Sequence, residues 1–213
     1  MIISRGRRYI FVHIPKTAGT AMALALEGRA MKDDMMLGDT PKALKRRRRL
    51  KGVKAAGRLW KHARLADIEG LVTPAEIETF FTFALVRNPW DRMVSYYHWL
   101  RAQSFEHPAV KLANTLEFQG FTQHSQTRKS VASAPYGSYL TYKGAERASC
   151  FIRIEHFEED AQPLFEHLGF ELSLQQVNAS ERAPDYRGYY DVRTREVVQE
   201  ICGADIARFG YSF

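Results

Sequence analysis

Tyr9-Ile10-Phe11-Val12-His13-Ile14-Pro15-Lys16-Thr17-Ala18-Gly19-Thr20 runs directly into Ala21-Met22-Ala23-Leu24-Ala25-Leu26-Glu27. The first part is a short apolar run rich in β-branched and aromatic residues, the pattern of a buried strand. The last part consists of strong helix formers. Between them lies a tight loop with one lysine, two threonines and one glycine. Strand, small-residue loop and helix start together make an anion cradle. The first N–H groups of a helix have no internal partners, and the helix dipole favours negative charge there. Lys16 adds a mobile point charge, and Thr17 and Thr20 add hydroxyls. A Walker A loop reads G-x-x-x-x-G-K-[ST], with its lysine after the second glycine. Here Lys16 precedes Gly19, so the loop shares the logic of a phosphate loop but not the ATPase pattern.

A second strand–loop–helix unit follows. Phe80-Phe81-Thr82-Phe83-Ala84-Leu85-Val86 reads as a buried strand and leads into Arg87-Asn88-Pro89-Trp90-Asp91-Arg92. Asn88 is placed to cap a helix that begins at Pro89 and carries Met93 through about Gln103. Arg87 leaves the carboxyl end of the strand, where ligands bind in open α/β sheets. Ser95 lies within two turns of the helix start, so a planar guanidinium and a hydroxyl are available to one phosphate. Tyr96, Tyr97, Trp99 and Leu100 read as core packing, and Asp91 and Arg92 as local caps or ion pairs.

Pro15-Lys16-Thr17-Ala18-Gly19-Thr20 resembles the 5′-phosphosulfate loop of sulfotransferases that use 3′-phosphoadenosine 5′-phosphosulfate (PAPS). The resemblance is to the carbohydrate-type members, which include the heparan sulfate 2-O-sulfotransferases. The block from Phe83 to Tyr97 is similar to the 3′-phosphate motif of that group, with Arg87 and Ser95 at its two binding positions. Lys61-His62-Ala63, Phe151 to Glu155, the Asn178 to Tyr190 turn and Asp205 to Tyr211 also look like pieces of it. The resemblance implies a three-layer, P-loop-like α/β fold whose central parallel sheet is flanked by helices. It implies that Lys16, Thr17, Ala18, Gly19 and Thr20 hold the 5′-phosphate, and Arg87 and Ser95 the 3′-phosphate. Lys16 is also the expected stabiliser of the leaving phosphate, adenosine 3′,5′-bisphosphate being the product, and no metal is expected. His62, His98, His124 and the carboxylates are candidates for the base. His62 is chosen because its segment matches the place where the 2-O-sulfotransferases carry a histidine base. Asn178 and Arg182, with Ser180 beside them, are weaker candidates for closing over the nucleotide or meeting the acceptor.

With 213 residues, 45% hydrophobic, a single domain over 1–213 is expected. A formal charge of +7 and a pI near 9.5 suit a chain that handles polyanions. Cys150 and Cys202 are the only cysteines, which suits a reducing cytosol. No apolar run approaches the about 20 residues needed to span a bilayer. A soluble, cytoplasmic, bacterial-type enzyme is therefore expected, acting on a hydroxyl-bearing acceptor such as an acidic glycan or glycoconjugate. Lys42 to Lys54 holds eight basic residues in thirteen. It reads as a solvated helix face or mobile loop, or as a rim that draws in an anion. No aromatic residue interleaves it, which argues against nucleic acid. A nucleotide kinase and a non-catalytic polyanion-binding module are the competing readings.

Elsewhere, Thr73-Pro74 marks a helix start, and Pro108 to Glu117 a short helix. Gln119 to Pro135 reads as a long loop and Ser149 to Ile154 as an inner strand. Glu155 to Leu168 reads as a helix ending at Gly169, and Thr194 to Cys202 as another. Alternating strand and helix argues for a parallel sheet.

Overall fold

The apolar run at Tyr9 is a strand, but it does not start the sheet. Ile2–Ser4 (β1) folds back on Tyr9–Val12 (β2) as an antiparallel hairpin, with Ile3 opposite Ile10. Met35–Met36 (β3) pairs antiparallel with β1. Phe81–Val86 (β4) lies parallel to β2, with Phe11 opposite Phe83. Thr141–Tyr142 (β5) and Ala145–Glu146 (β6) form a separate small hairpin. Cys150–Arg153 (β7) lies parallel to β4. The sheet order is β3-β1-β2-β4-β7. The expected parallel block β2-β4-β7 is present, and the antiparallel pair β1 and β3 extends it, so the sheet is mixed. β1 and β3 are three and two residues long, too short for a periodicity to show.

The structure is a computed structural model and describes residues 1–175 and 182–213. The helices are Gly19–Gly28 (α1), Pro41–Arg46 (α2), Pro74–Thr79 (α3), Pro89–Arg101 (α4), Pro108–Thr115 (α5), Phe118–Gln123 (α6) and Ser125–Ala132 (α7). Phe157–Asp160 (α8), Gln162–Leu168 (α9), Val192–Ile201 (α10) and Gly203–Phe209 (α11) complete the set. The chain divides into two units. One holds residues 1–86 and the stretch that begins at Tyr136; the other holds residues 87–135 and the stretch that ends at Phe213.

In the first unit, alternate strand residues point to one face of the sheet: Tyr9 and Phe11, Phe83 and Leu85, and Ile152. Met22, Ala23 and Leu26 of α1 and Leu164, Phe165 and Leu168 of α9 pack on them. The rings of Phe11 and Phe83 stack with centroids 5.2 Å apart. Each such buried side chain contributes about 1.5–3 kcal/mol. Thr73 caps α3 as expected, in a capping box with Glu76.

In the second unit, α4 buries Trp90, Met93, Val94, Tyr97 and Leu100 along one stripe against α5, α6 and α10. Asn88 caps it, its side-chain oxygen accepting from the Trp90 N–H at 3.0 Å. The core reading holds for Tyr97 and Leu100, whereas Trp99 is 37% exposed.

Three expectations need correction. Gln119 to Pro135 is not a loop: α6 and α7 occupy most of it. Phe118 and Phe121 bury while the glutamines, lysines and serines stay solvated, so an apolar stripe this narrow leaves no clear period. The helix expected from Glu155 begins as a 3₁₀ turn and breaks at Ala161 before α9, which ends at Gly169 in the left-handed conformation. The last predicted helix starts two residues earlier, where Asp191 accepts from the Thr194 N–H.

Candidate functional site

The loop after β2 is unusual in its backbone. Lys16 has φ +66° and Ala18 φ +57°, so two non-glycine residues in three positions take the left-handed region. Each such residue stores about 1–2 kcal/mol, and such outliers cluster at ligand sites. The Thr17 hydroxyl, buried at 1% exposure, donates to the Ile14 carbonyl at 2.9 Å and ties the loop across its base. That hydroxyl serves the loop, which leaves backbone N–H groups as Thr17's contribution to an anion.

Ala18 at the N-cap of α1 has no side chain to cap it, and no acid lies in the first turn. By contrast Thr73, Asn88 and Asp191 each cap their own helix. The N–H groups at the start of α1 therefore point out of a helix N-terminus with nothing of the helix's own to accept from them. Thr20 lines a small cleft with His13, Gly38, Asp39, Ala43 and Lys61.

Gly19 is required by contact, not by its backbone angle. A Cβ at Gly19 would stand 2.0 Å from His13 Cδ2. The imidazole occupies the place that a Cβ would take. Gly19→Ala is therefore expected to displace either the ring or the loop and to destabilise the fold by about 1–3 kcal/mol, as overpacking does. A denaturant titration checks this; unchanged stability would show that the ring moves aside freely.

His13 in turn meets His62. Their rings lie edge to face at 4.6 Å, and His62 Nδ1 lies 2.9 Å from the His13 carbonyl oxygen. A carbonyl only accepts, so Nδ1 carries the proton and donates, leaving Nε2 as the basic nitrogen. Burial is the main cause that lowers the pKa of His62 to about 4, and it also pushes His13 well below the usual histidine value. Both rings are neutral at neutral pH. Trp60 packs edge-on against the other side of His62 at 5.1 Å, and Lys61 pairs with Asp39 at 2.6 Å. The structure thus brings together Lys16, Thr17, Ala18, Gly19, Thr20 and, through His13, His62.

In the second unit, Arg87 Nε donates to Asp91 Oδ2 at 2.7 Å, and Arg182 Nη2 pairs with Asp91 Oδ1 at 2.7 Å. One carboxylate therefore holds two guanidinium groups, all three side chains being 12–17% exposed. Asp91 and Ser95 lie one helical turn apart on α4, so they share a face. Asp91 holds the Arg87 head, and Ser95 is buried on the same helix. Among the described residues Arg182 Nη1 is buried without a hydrogen-bond partner, a costly state for a charged donor and one that an anion relieves. Nothing in the sequence spacing pointed to Asp91 as the shared anchor of both arginines. Asn178 and Ser180 lie outside the described residues. Arg153 pairs with Asp160 at 2.7 Å. His124 caps α7 by accepting from the Gln126 N–H, and His98 packs edge-on against Tyr189 at 5.1 Å.

Loops at the carboxyl ends of neighbouring parallel strands, each running into a helix start and bearing a cation, define an anion-binding α/β protein. The chain belongs to the sulfotransferase family, whose family model matches residues 1–212. No curated protein matches it. Among solved structures it is similar to the mouse sulfotransferase SULT7A1 complexed with PAP, at 15% identity and a TM-score of 0.46, over 94% of this chain and 85% of that one. Among the described residues no helix is long and apolar enough to cross a membrane.

Proposed function

We propose that the whole chain works as one sulfotransferase domain that moves a sulfuryl group from PAPS to a hydroxyl of a carbohydrate, an acidic glycan or glycoconjugate, in the cytoplasm and without a metal. The observation that carries this is the uncapped start of α1, preceded by Lys16 and packed through Gly19 and His13 against a neutral His62. Each unit offers its own support for the reading of a doubly phosphorylated nucleotide. The loop has N–H groups to give to a 5′-phosphate, and Arg182 Nη1, beside Asp91, is a buried donor with no acceptor among the described residues.

When bound, PAPS supplies the activated sulfuryl group and a phosphate leaving group. Lys16 and the N–H groups from Thr17 to Thr20 would hold the 5′-phosphate, and Lys16 would neutralise negative charge on it. Arg87 and Ser95 hold the 3′-phosphate. His62 Nε2 takes the proton of the acceptor hydroxyl as its oxygen bonds to sulfur. Asn178 and Arg182 complete the reading as substrate-binding residues.

Thermal-shift titration with adenosine 3′,5′-bisphosphate and with ATP–Mg²⁺ tests the reading. Stabilisation by the first alone is expected; stabilisation by ATP–Mg²⁺ alone would move the protein to phosphoryl transfer. A screen of glycan and small hydroxyl acceptors with labelled PAPS then tests the acceptor class. Arg87→Ala is expected to weaken adenosine 3′,5′-bisphosphate binding by about 1.5–3 kcal/mol, the range for a hydrogen bond to a charged group. Unchanged affinity by calorimetry would remove Arg87 from the site.

A further inference from the structure

The chain's positive excess comes from one stretch. Residues 41–66 hold eleven of the 31 Lys and Arg and no Asp or Glu, whereas the remaining 20 Lys and Arg are outnumbered by the 24 Asp and Glu. In α2 and the 3₁₀ turn Arg47–Leu50 that follows it, only Ala43 is buried. Two of the arginines bond to the backbone: Arg46 donates to the Asp34 carbonyl at 3.1 Å and the exposed Arg49 to the Lys32 carbonyl at 2.6 Å. Lys45, Arg47, Arg48 and Lys51 are exposed.

The segment is anchored. The Glu27 carboxylate, at the end of α1, accepts from the Thr40 hydroxyl and from the N–H groups of Lys42 and Ala43, which caps α2. A Cβ at Gly38 would lie 3.9 Å from the Cβ atoms of both Ala43 and Lys61, so α2 and the segment ending at Lys61 flank the same point. Leu44 follows Ala43 and is 52% exposed; Trp60 precedes Lys61 and is 40% exposed. The Arg58 guanidinium lies over the Trp60 ring, 5.1 Å from its centroid. The surface is therefore basic with exposed apolar groups set into it, and Asp39, paired with Lys61, is an acid beside it.

A nucleic acid or an acidic polymer would use that charge but leave Leu44 in water. A bilayer interface uses both, since cationic heads meet anionic headgroups while Leu and Trp enter the headgroup boundary. We propose that the surface formed by residues 41–61 docks the protein peripherally on an anionic lipid bilayer. Ala43 and Lys61 also wall the cleft that Thr20 and His13 line, so a docked molecule holds that cleft beside the headgroups.

Flotation with phosphatidylcholine vesicles, with and without one-third phosphatidylglycerol, tests the proposal. The wild-type chain is expected to float with the anionic vesicles only, and to be released by salt. Reversing four exposed charges together (Lys45→Glu, Arg47→Glu, Arg48→Glu and Lys51→Glu) is expected to lower partitioning at least about tenfold. Leu44→Ser is expected to lower it at least about threefold while leaving retention on heparin unchanged, because only the bilayer contact uses the apolar group. Unaltered thermal melting shows that each variant is folded. Failure of the wild type to float overturns the proposal, and so does heparin retention without vesicle binding, or partitioning untouched by Leu44→Ser. None of these readouts involves nucleotide or acceptor, so the result is independent of sulfuryl transfer.

Discussion

Lys16→Ala is expected to reduce the single-turnover rate of sulfuryl transfer by about 10²–10³-fold, the loss seen when one preorganised stabiliser of developing charge is removed. The side chain leaves a loop whose backbone is already shaped, since Lys16 and Ala18 both occupy the left-handed region. Alanine at position 16 therefore meets the same backbone demand as alanine at 18, and the fold should persist with an unchanged melting temperature. Affinity for adenosine 3′,5′-bisphosphate should fall much less than the rate, because the N–H groups at the start of α1 remain. Near-normal turnover would take Lys16 out of the chemistry.

His62→Ala is expected to lower kcat by about 10²–10⁴-fold, the contribution of a positioned general base. A loss confined to KM would assign His62 to acceptor binding. The pH profile gives a second reading. With its pKa lowered to about 4 by burial, the His62 ring is already in its basic form throughout the neutral range. The wild-type rate should hold level as pH falls past 6.5 and drop only toward pH 4; a break near 6.5 would point to a different base. Stability follows the same shift. Between about pH 4 and the ordinary value of 6.5 the unfolded chain takes up a proton that the folded ring refuses. The contribution of neutral His62 is therefore complete above that window and is lost as pH falls through it. His62→Ala should flatten that part of the stability curve, which urea titrations at several pH values would show.

Some of this protein is written locally. The runs ending at Val12 and Val86, their short loops and the helix starts after them are contiguous, so their apolar pattern and the caps at Thr73 and Asn88 are legible from neighbours alone. Lys16 and Arg87 stand out for the same reason, each being the cation in the first loop after a buried strand. The helices α6 and α7 were not legible, because two phenylalanines among polar residues do not make a period. Other features exist only once the chain has folded. His62 finds the His13 carbonyl across 49 positions, and that contact selects which ring nitrogen is basic. Gly19 is bare because the His13 ring lies over it, and Asp91 gathers Arg87 from the loop before its own helix and Arg182 from far along the chain. Residue spacing records which side chains follow one another along a strand or helix. The tautomer of a histidine, the room above a glycine and the sharing of a carboxylate depend on which groups meet through space, and packing alone decides that.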